Sequence, residues 1–306
     1  MMSVTAALVK ELREKSGAGM MDCKKALSET DGDMDSAIDW LRTKGLSAAA
    51  KKSGRVAAEG LVAISVDETR GAIIELNAET DFVARNGEFQ KFASSLATLA
   101  MSVSDLSTLK ETEVPGSGRN VADEITHKIA TIGENMSLRR METVSVNQGA
   151  VISYMHNSIA TDLGRIGVLV GITSTVSREK LEPLGKQLAM HIAATSPLSL
   201  SIDDLDPTII EREREVLIEQ AKSSGKPAEI AEKMVEGRMK KYFEEVVLLE
   251  QTSVIDGETQ ISDLIAKTAK DVGEDIVLSK FIRFTLGEGV ERDATDFAAE
   301  VAAQLA

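Results

Sequence analysis

Cysteine, histidine and aromatic side chains are scarce in this chain, and each shortage removes a class of function. A lone cysteine, Cys23, has no partner for an intramolecular disulfide and cannot by itself furnish a zinc cluster, so a reducing, cytoplasmic setting is expected. The three histidines, His127, His156 and His191, stand far apart with no nucleophile motif beside them. The reading is therefore of a protein that is not an enzyme, with no catalytic residue, cofactor or metal ligand of its own. Aromatics make up 3% of the chain, so the core must be built from Ala, Val, Ile, Leu and Met. No apolar run approaches the roughly 20 residues of a membrane helix. The opening stretch MMSVTAALVKELREK has neither the apolar segment of a secretory signal nor the Arg/Ser-rich, acid-poor character of a transit sequence, and no membrane partner is expected.

With 306 residues, the chain is long enough for two or more domains, since single cores usually span about 100–200 residues. Its net charge of −14 argues against a direct nucleic-acid partner, because phosphate binding depends on clustered Lys and Arg. That charge is uneven: residues 1–58 carry a net +2 and the remainder −16. The basic cluster Lys44, Lys51, Lys52 and Arg55 at the exit of the first segment has no interleaved aromatics on which bases could stack, and reads as a linker.

Two stretches imitate ligand loops and fail on detail. Gly17–Lys25 has glycines and lysines but no Gly-Lys-Ser/Thr ending, and it follows a helical pattern where a phosphate loop needs a strand. Asp31-Gly32-Asp33-Met34-Asp35 resembles a calcium loop, yet its glycine is misplaced and Arg42 occupies the position that requires a bidentate Glu. An acidic helix N-cap is the simpler reading.

Periodicity predicts an α+β chain. Val4, Leu8, Val9 and Leu12, then Met20, Cys23, Ala26 and Leu27, then Ala37, Ile38 and Leu41 form three apolar stripes separated by glycine-containing breaks, the last stopping at Gly45. They predict a three-helix bundle, followed by a helical linker over 47–56. From Gly60 the period changes to two, and the order reads as a β-hairpin, two helices and a strand. The β-β-α-α-β order recurs from Ala150, with Arg165–Thr173 apolar enough to be a central strand, which predicts two related subdomains. Into the second copy are inserted two long charged helices, 207–220 and 228–245, joined by a loop so short that they must form an antiparallel helical hairpin. Phe297, Val301 and Leu305 mark a C-terminal helix. The expected boundaries are 1–55 for bundle and linker, 56–147 for the first core subdomain, 148–200 with 246–287 for the second, 201–245 for the hairpin and 288–306 for the C-terminal module.

One stretch fits none of these structural roles. Phe82, one of seven phenylalanines, falls between a strand end and a helix start, flanked by Asp81 and Arg85. It could fold back as a cap on the sheet or stand out as a contact. Met20 and Met21 pose a similar question, since one of a consecutive pair must point away from the bundle core.

The segments LVKELREKSGAGMMDCKKAL (8–27), TDFVARN (80–86), IGEN (132–135), RIGVLV (165–170), SGKPAEIAEKMVEGRMKK (224–241), FIRF (281–284), GEGVE (287–291) and TDFAAEVAA (295–303) together resemble the translation elongation factor Ts family of the bacterial type. The resemblance runs through the chain in order. It implies a bundle of ubiquitin-associated type and a guanine-nucleotide exchange factor for elongation factor Tu, binding its GDP-bound and nucleotide-free forms in protein biosynthesis. Thr80, Asp81, Phe82 and Val83 match the motif associated with dislocating Mg²⁺ from the partner, with Phe82 as a wedge. Arg13, Met20 and Met21 match partner-binding bundle residues, Ile132 and Gly133 a loop beside the wedge, and His156 a contact of the second subdomain. A homodimer or a two-to-two complex is compatible with the pattern. The residues alone also leave open an adaptor whose bundle binds helical partners, and an enzyme with a polar cavity that sequence does not reveal.

Overall fold

The computed structural model describes residues 4–16, 18–223 and 227–291. The expected C-terminal helix, with Phe297, Val301 and Leu305, lies outside the described residues, as does the centre of the hairpin loop. The chain is mixed helix and sheet and divides into two compact units. The first comprises the described residues of Met1–Ala63, Ile74–Met141 and Thr285–Ala306; the second comprises Ile64–Ile73 and Glu142–Phe284.

Three helices open the first unit: α1 (Ala6–Ser16), α2 (Met20–Glu29) and α3 (Met34–Lys52). Val9, Leu12, Cys23, Ala26, Leu27 and Ala37 form their buried core, with Val4, Leu8, Ile38, Trp40 and Leu41 packed against it. The Asp31–Asp33 stretch acts as the cap that its composition suggests, because the Asp33 carboxylate accepts the backbone N–H of Ser36 at 2.8 Å. Met20 departs from the predicted stripe. It is 60% exposed, and Met21 is 74% exposed, so both methionines point outward. Met20 begins α2, and within that helix the core starts one turn later, at Cys23.

The predicted stop at Gly45 is also overturned, since α3 passes through it without a break. Gly45 is buried, and a Cβ there would stand 3.2 Å from the Cβ of Ala130 in α7 (Val121–Ile132). Close packing of α3 on α7 is what the missing side chain permits, and it offsets the roughly 1 kcal/mol that glycine costs inside a helix.

The sheet begins with β1 (Glu59–Val66) and β2 (Arg70–Ala78), joined by a turn in which the Asp67 carboxylate accepts the N–H groups of Thr69 and Arg70. In the first unit β1 and β2 lie beside β5 (Met136–Ser145) in the order β5-β2-β1. The one-turn α4 (Asp81–Ala84) and α5 (Gly87–Ala100) follow β2. Between α5 and α7 the chain inserts α6 (Leu106–Glu111) and the two-residue strands β3 (Glu113–Val114) and β4 (Arg119–Asn120). Periodicity does not reveal these pieces, because each is shorter than the repeat that would mark it.

In the second unit β6 (Gly149–His156) pairs antiparallel with β8 (Ile166–Thr173), from Gly149 opposite Thr173 to His156 opposite Ile166. The short β7 (Leu163–Gly164) precedes β8, and β9 (Val277–Thr285) completes the order β6-β8-β9. The apolar run read as a central strand is thus central. Helix α8 (Arg178–Thr195) covers this sheet, with Leu181, Leu188 and Ile192 buried against Ile152, Val168 and Val170. The long helices α9 (Pro207–Ser223) and α10 (Ala228–Val246) share a small core of Leu217, Ala221, Val235 and Met239, and α11 (Ile261–Val272) precedes β9.

Candidate functional site

The stretch after β2 is built to display one side chain. Strand β2 ends at Ala78, α4 makes a single turn, and Asn86 caps α5 by accepting the N–H of Glu88 at 2.8 Å and of Phe89 at 3.3 Å. Backbone bonds from Arg85 to the Phe82 carbonyl (3.1 Å) and from Asn86 to the Val83 carbonyl (2.9 Å) close the turn. Successive residues of a helical turn are separated by about 100°. Burying Val83 and Ala84 therefore sends Phe82 outward, and it is 75% exposed. The sheet-capping alternative does not describe this side chain. Asp81 and Arg85 form an exposed i,i+4 ion pair at 3.8 Å beside it, a contact worth little in stability.

Thr80 occupies the N-cap position of α4, but its side chain does not cap. Its hydroxyl donates to Glu134 Oε1 at 2.6 Å and its N–H to Glu134 Oε2 at 2.9 Å. The structure thus joins Thr80 to the loop after α7. That loop starts at Gly133, whose φ of 94° ends the helix in the left-handed region where glycine is strain-free. Ile132 is half-buried and Gly133 exposed. Arg13, Met20 and Met21 are exposed on the bundle. His156 is exposed at the end of β6 in the second unit, with its Nδ1 3.1 Å from the Tyr154 hydroxyl. Glu79, Glu134 and Asn135 carry no role that the sequence alone reveals. The Thr80–Glu134 contact spans 54 residues, and no local spacing rule reaches so far.

A cavity of about 430 Å³ opens in the first unit between the bundle and α7, lined among others by Lys15, Asp22, Arg42, Arg119 and His127. Its chemistry is that of a structural seam. Asp22 is paired with Lys44, and Arg119 with Glu124 at 2.7 Å. The hydroxyls of Ser16 and Thr131 donate to backbone carbonyls. Burial, reinforced by the Arg119 charge, lowers the pKa of His127. Among the described residues no group of three or more His, Cys, Asp and Glu side chains is placed to hold a metal ion, and no helix is long and apolar enough to cross a membrane.

His191 is fully buried on α8 and has a structural part. Its Nδ1 accepts the N–H of Val254 (3.2 Å), so Nε2 carries the proton and donates to Gln251 Oε1 (2.9 Å). Burial lowers its pKa below the ordinary 6.5. An unfolded chain would take up a proton near pH 6.5 that the folded chain resists. The contribution of this histidine to stability is therefore fully present above about that pH and is lost as the pH falls below it. The thermal midpoint of the wild type should drop more steeply between about pH 7 and 5 than that of His191→Gln. Parallel slopes for the two proteins would rule out this linkage.

The chain is similar to known proteins over most or all of its length. The family model described as Elongation factor TS matches residues 79–288. Elongation factor Ts of Rhodospirillum centenum is 59% identical over 303 residues, covering 99% of both chains. Elongation factor Ts of Paramagnetospirillum magneticum is 57% identical over 305 residues, covering 99% of this chain and 98% of the relative. That of Rhodospirillum rubrum is 57% identical over 307 residues, covering 100% and 99%. Alike to these relatives along its whole length, and matched by the family model from just before the displayed turn to just past β9, the chain belongs to the elongation factor Ts family and is a translation elongation factor.

Proposed function

We propose that the chain is a guanine-nucleotide exchange factor for elongation factor Tu, binding the GDP-bound form and releasing GDP by disturbing the Mg²⁺ site. The observation that carries this reading is the exposed Phe82 at the tip of α4, braced from behind by buried Val83 and Ala84. In a GTPase the metal bridges the phosphates and a Ser/Thr hydroxyl in a near-ideal octahedron. A wedge that displaces the helices carrying those ligands weakens the metal and, with it, GDP. Thr80 to Val83 form the wedge motif. Arg13, Met20 and Met21 with Ile132 and Gly133 supply anchors in the first unit, and His156 supplies one in the second. The proposed arrangement is an N-terminal bundle of ubiquitin-associated type, two related β-β-α-α-β subdomains, the α9–α10 hairpin and a C-terminal module.

Linkage makes the exchange reversible. Whatever factor the protein applies to GDP affinity, the nucleotide applies to the protein's affinity, so GTP expels it and it turns over without bond-making chemistry. The test is release of a fluorescent GDP analogue from purified elongation factor Tu in stopped flow. Substoichiometric chain should accelerate release, and a rate that does not depend on the chain would refute the proposal.

A further inference from the structure

The wedge is only as effective as the backbone that aims it, and α4 is a single turn with no cap of its own. Its fixing point lies across the first unit. The Thr80 N–H and hydroxyl end on separate oxygens of Glu134, at 2.9 and 2.6 Å. Each neighbour of Glu134 is tied to the exit of the bundle or to the base of the turn. Lys52, the last residue of α3, donates to the Gly133 carbonyl at 2.6 Å. The Asn135 side chain donates to the Arg55 carbonyl at 2.7 Å, and its backbone N–H donates to the Glu79 carboxylate. Arg55 closes the ring with its guanidinium 3.4 Å from Glu79. Asn135 is buried and Glu79 largely so, which shelters the two Asn135 bonds from competing water, while the Lys52 and Arg55 contacts are exposed.

From this ring we infer that Glu134 is a positioning residue for exchange. Its carboxylate holds Thr80, and through Thr80 the direction of Phe82, while its neighbours Gly133 and Asn135 link the same loop to the end of α3. The exit of the bundle and the base of the wedge are thereby joined through three consecutive residues. The inference rests on the exchange reading given above and adds a residue and a route that the reading does not contain.

The variants to compare in the full chain are Glu134→Ala and Glu134→Gln, with Phe82→Ala in parallel. Glu134→Ala removes both acceptors. Glu134→Gln keeps one oxygen for the Thr80 N–H and offers an amide N–H to the Thr80 hydroxyl, which can rotate to accept it. Glu134→Ala should speed amide hydrogen exchange at Thr80 to Phe82 by about tenfold, leave the amides of α5 unchanged, and slow GDP release at saturating protein by about tenfold. Glu134→Gln should restore most of both. Wild-type release by Glu134→Ala while Phe82→Ala is slow overturns the positioning role and leaves the exchange reading standing. The same is true if the amides loosen without any loss of rate. Wild-type release by Phe82→Ala as well would bring down the wedge reading, and the positioning role with it. A defect that Glu134→Gln does not relieve overturns the hydrogen-bond account.

Discussion

Phe82→Ala is expected to slow release of a fluorescent GDP analogue from elongation factor Tu by one to two decades while leaving the chain's own thermal midpoint unchanged. The two halves of this result have separate causes. In the isolated protein the ring is 75% exposed, so its removal creates no cavity and forfeits little burial; surface changes of this kind usually stay within about 0.5 kcal/mol. Buried in the partner, a phenylalanine ring contributes roughly 1.5–3 kcal/mol. If that burial is realised only in the conformation with a displaced metal site, the whole amount appears in the release rate, at about tenfold per 1.4 kcal/mol. The measurement must use saturating protein, because a contact made equally in all states would weaken binding and leave the maximal rate intact. A variant that keeps the wild-type maximal rate and merely needs more protein to reach it would make Phe82 an anchor and not a wedge. A lowered thermal midpoint would contradict the exposure seen here.

The parts of this fold that were legible in advance are those fixed by local periodicity. Leu12, Cys23 and Leu27 recur at helical spacing and are buried. The run from Ile166 to Thr173 is apolar without alternation because Gly167 to Ile172 of β8 are all buried, whichever face of the sheet they are on. What could not be read depends on partners distant in the chain. Gly45 looks like a helix terminator until Ala130 is seen against it. From sequence Phe82 is open to two readings, because an aromatic in a loop can fold in or stand out, and the decision rests on which way Val83 and Ala84 are buried. The resemblance supplied Ile132 and Gly133, but Glu134 gained its part only from its two bonds to Thr80.

Glu75 is the clearest case of a residue whose importance no pattern revealed, and its loss should destabilise the chain more than any single change at the wedge. It stands in β2 among Ile73, Ile74 and Leu76 and is 0% exposed. A bare carboxylate there would be ruinously desolvated. Instead Oε1 accepts the Gly287 N–H at 2.8 Å, the Asn77 amide at 3.0 Å and Arg139 Nη1 at 3.2 Å, while Oε2 accepts Arg140 Nε. The two guanidiniums then reach onward to the last residue of β9 and the turn that follows it. Arg139 donates to the Glu288 carbonyl, and Arg140 donates to the Thr285 carbonyl at 2.8 Å. One anion therefore holds β2, β5 and the 285–288 turn together. Removing one partner from such a cluster costs about 3–5 kcal/mol, since the remaining charges stay buried without compensation. Here the arginine side chains keep 31% and 27% of their surface, so water can reach them and the lower end, about 3 kcal/mol, is expected for Glu75→Ala. Glu75→Gln preserves shape and one acceptor but surrenders the charge, and should fall between Ala and wild type. Urea unfolding followed by circular dichroism gives the magnitude, and hydrogen exchange at Gly287 gives the place. The amide that loses its acceptor should exchange far faster in Glu75→Ala, ahead of the amides of α5. A cost below about 1 kcal/mol, the range of exposed pairs, together with a protected Gly287 would mean that the arginines find other partners and that the turn is held by something else.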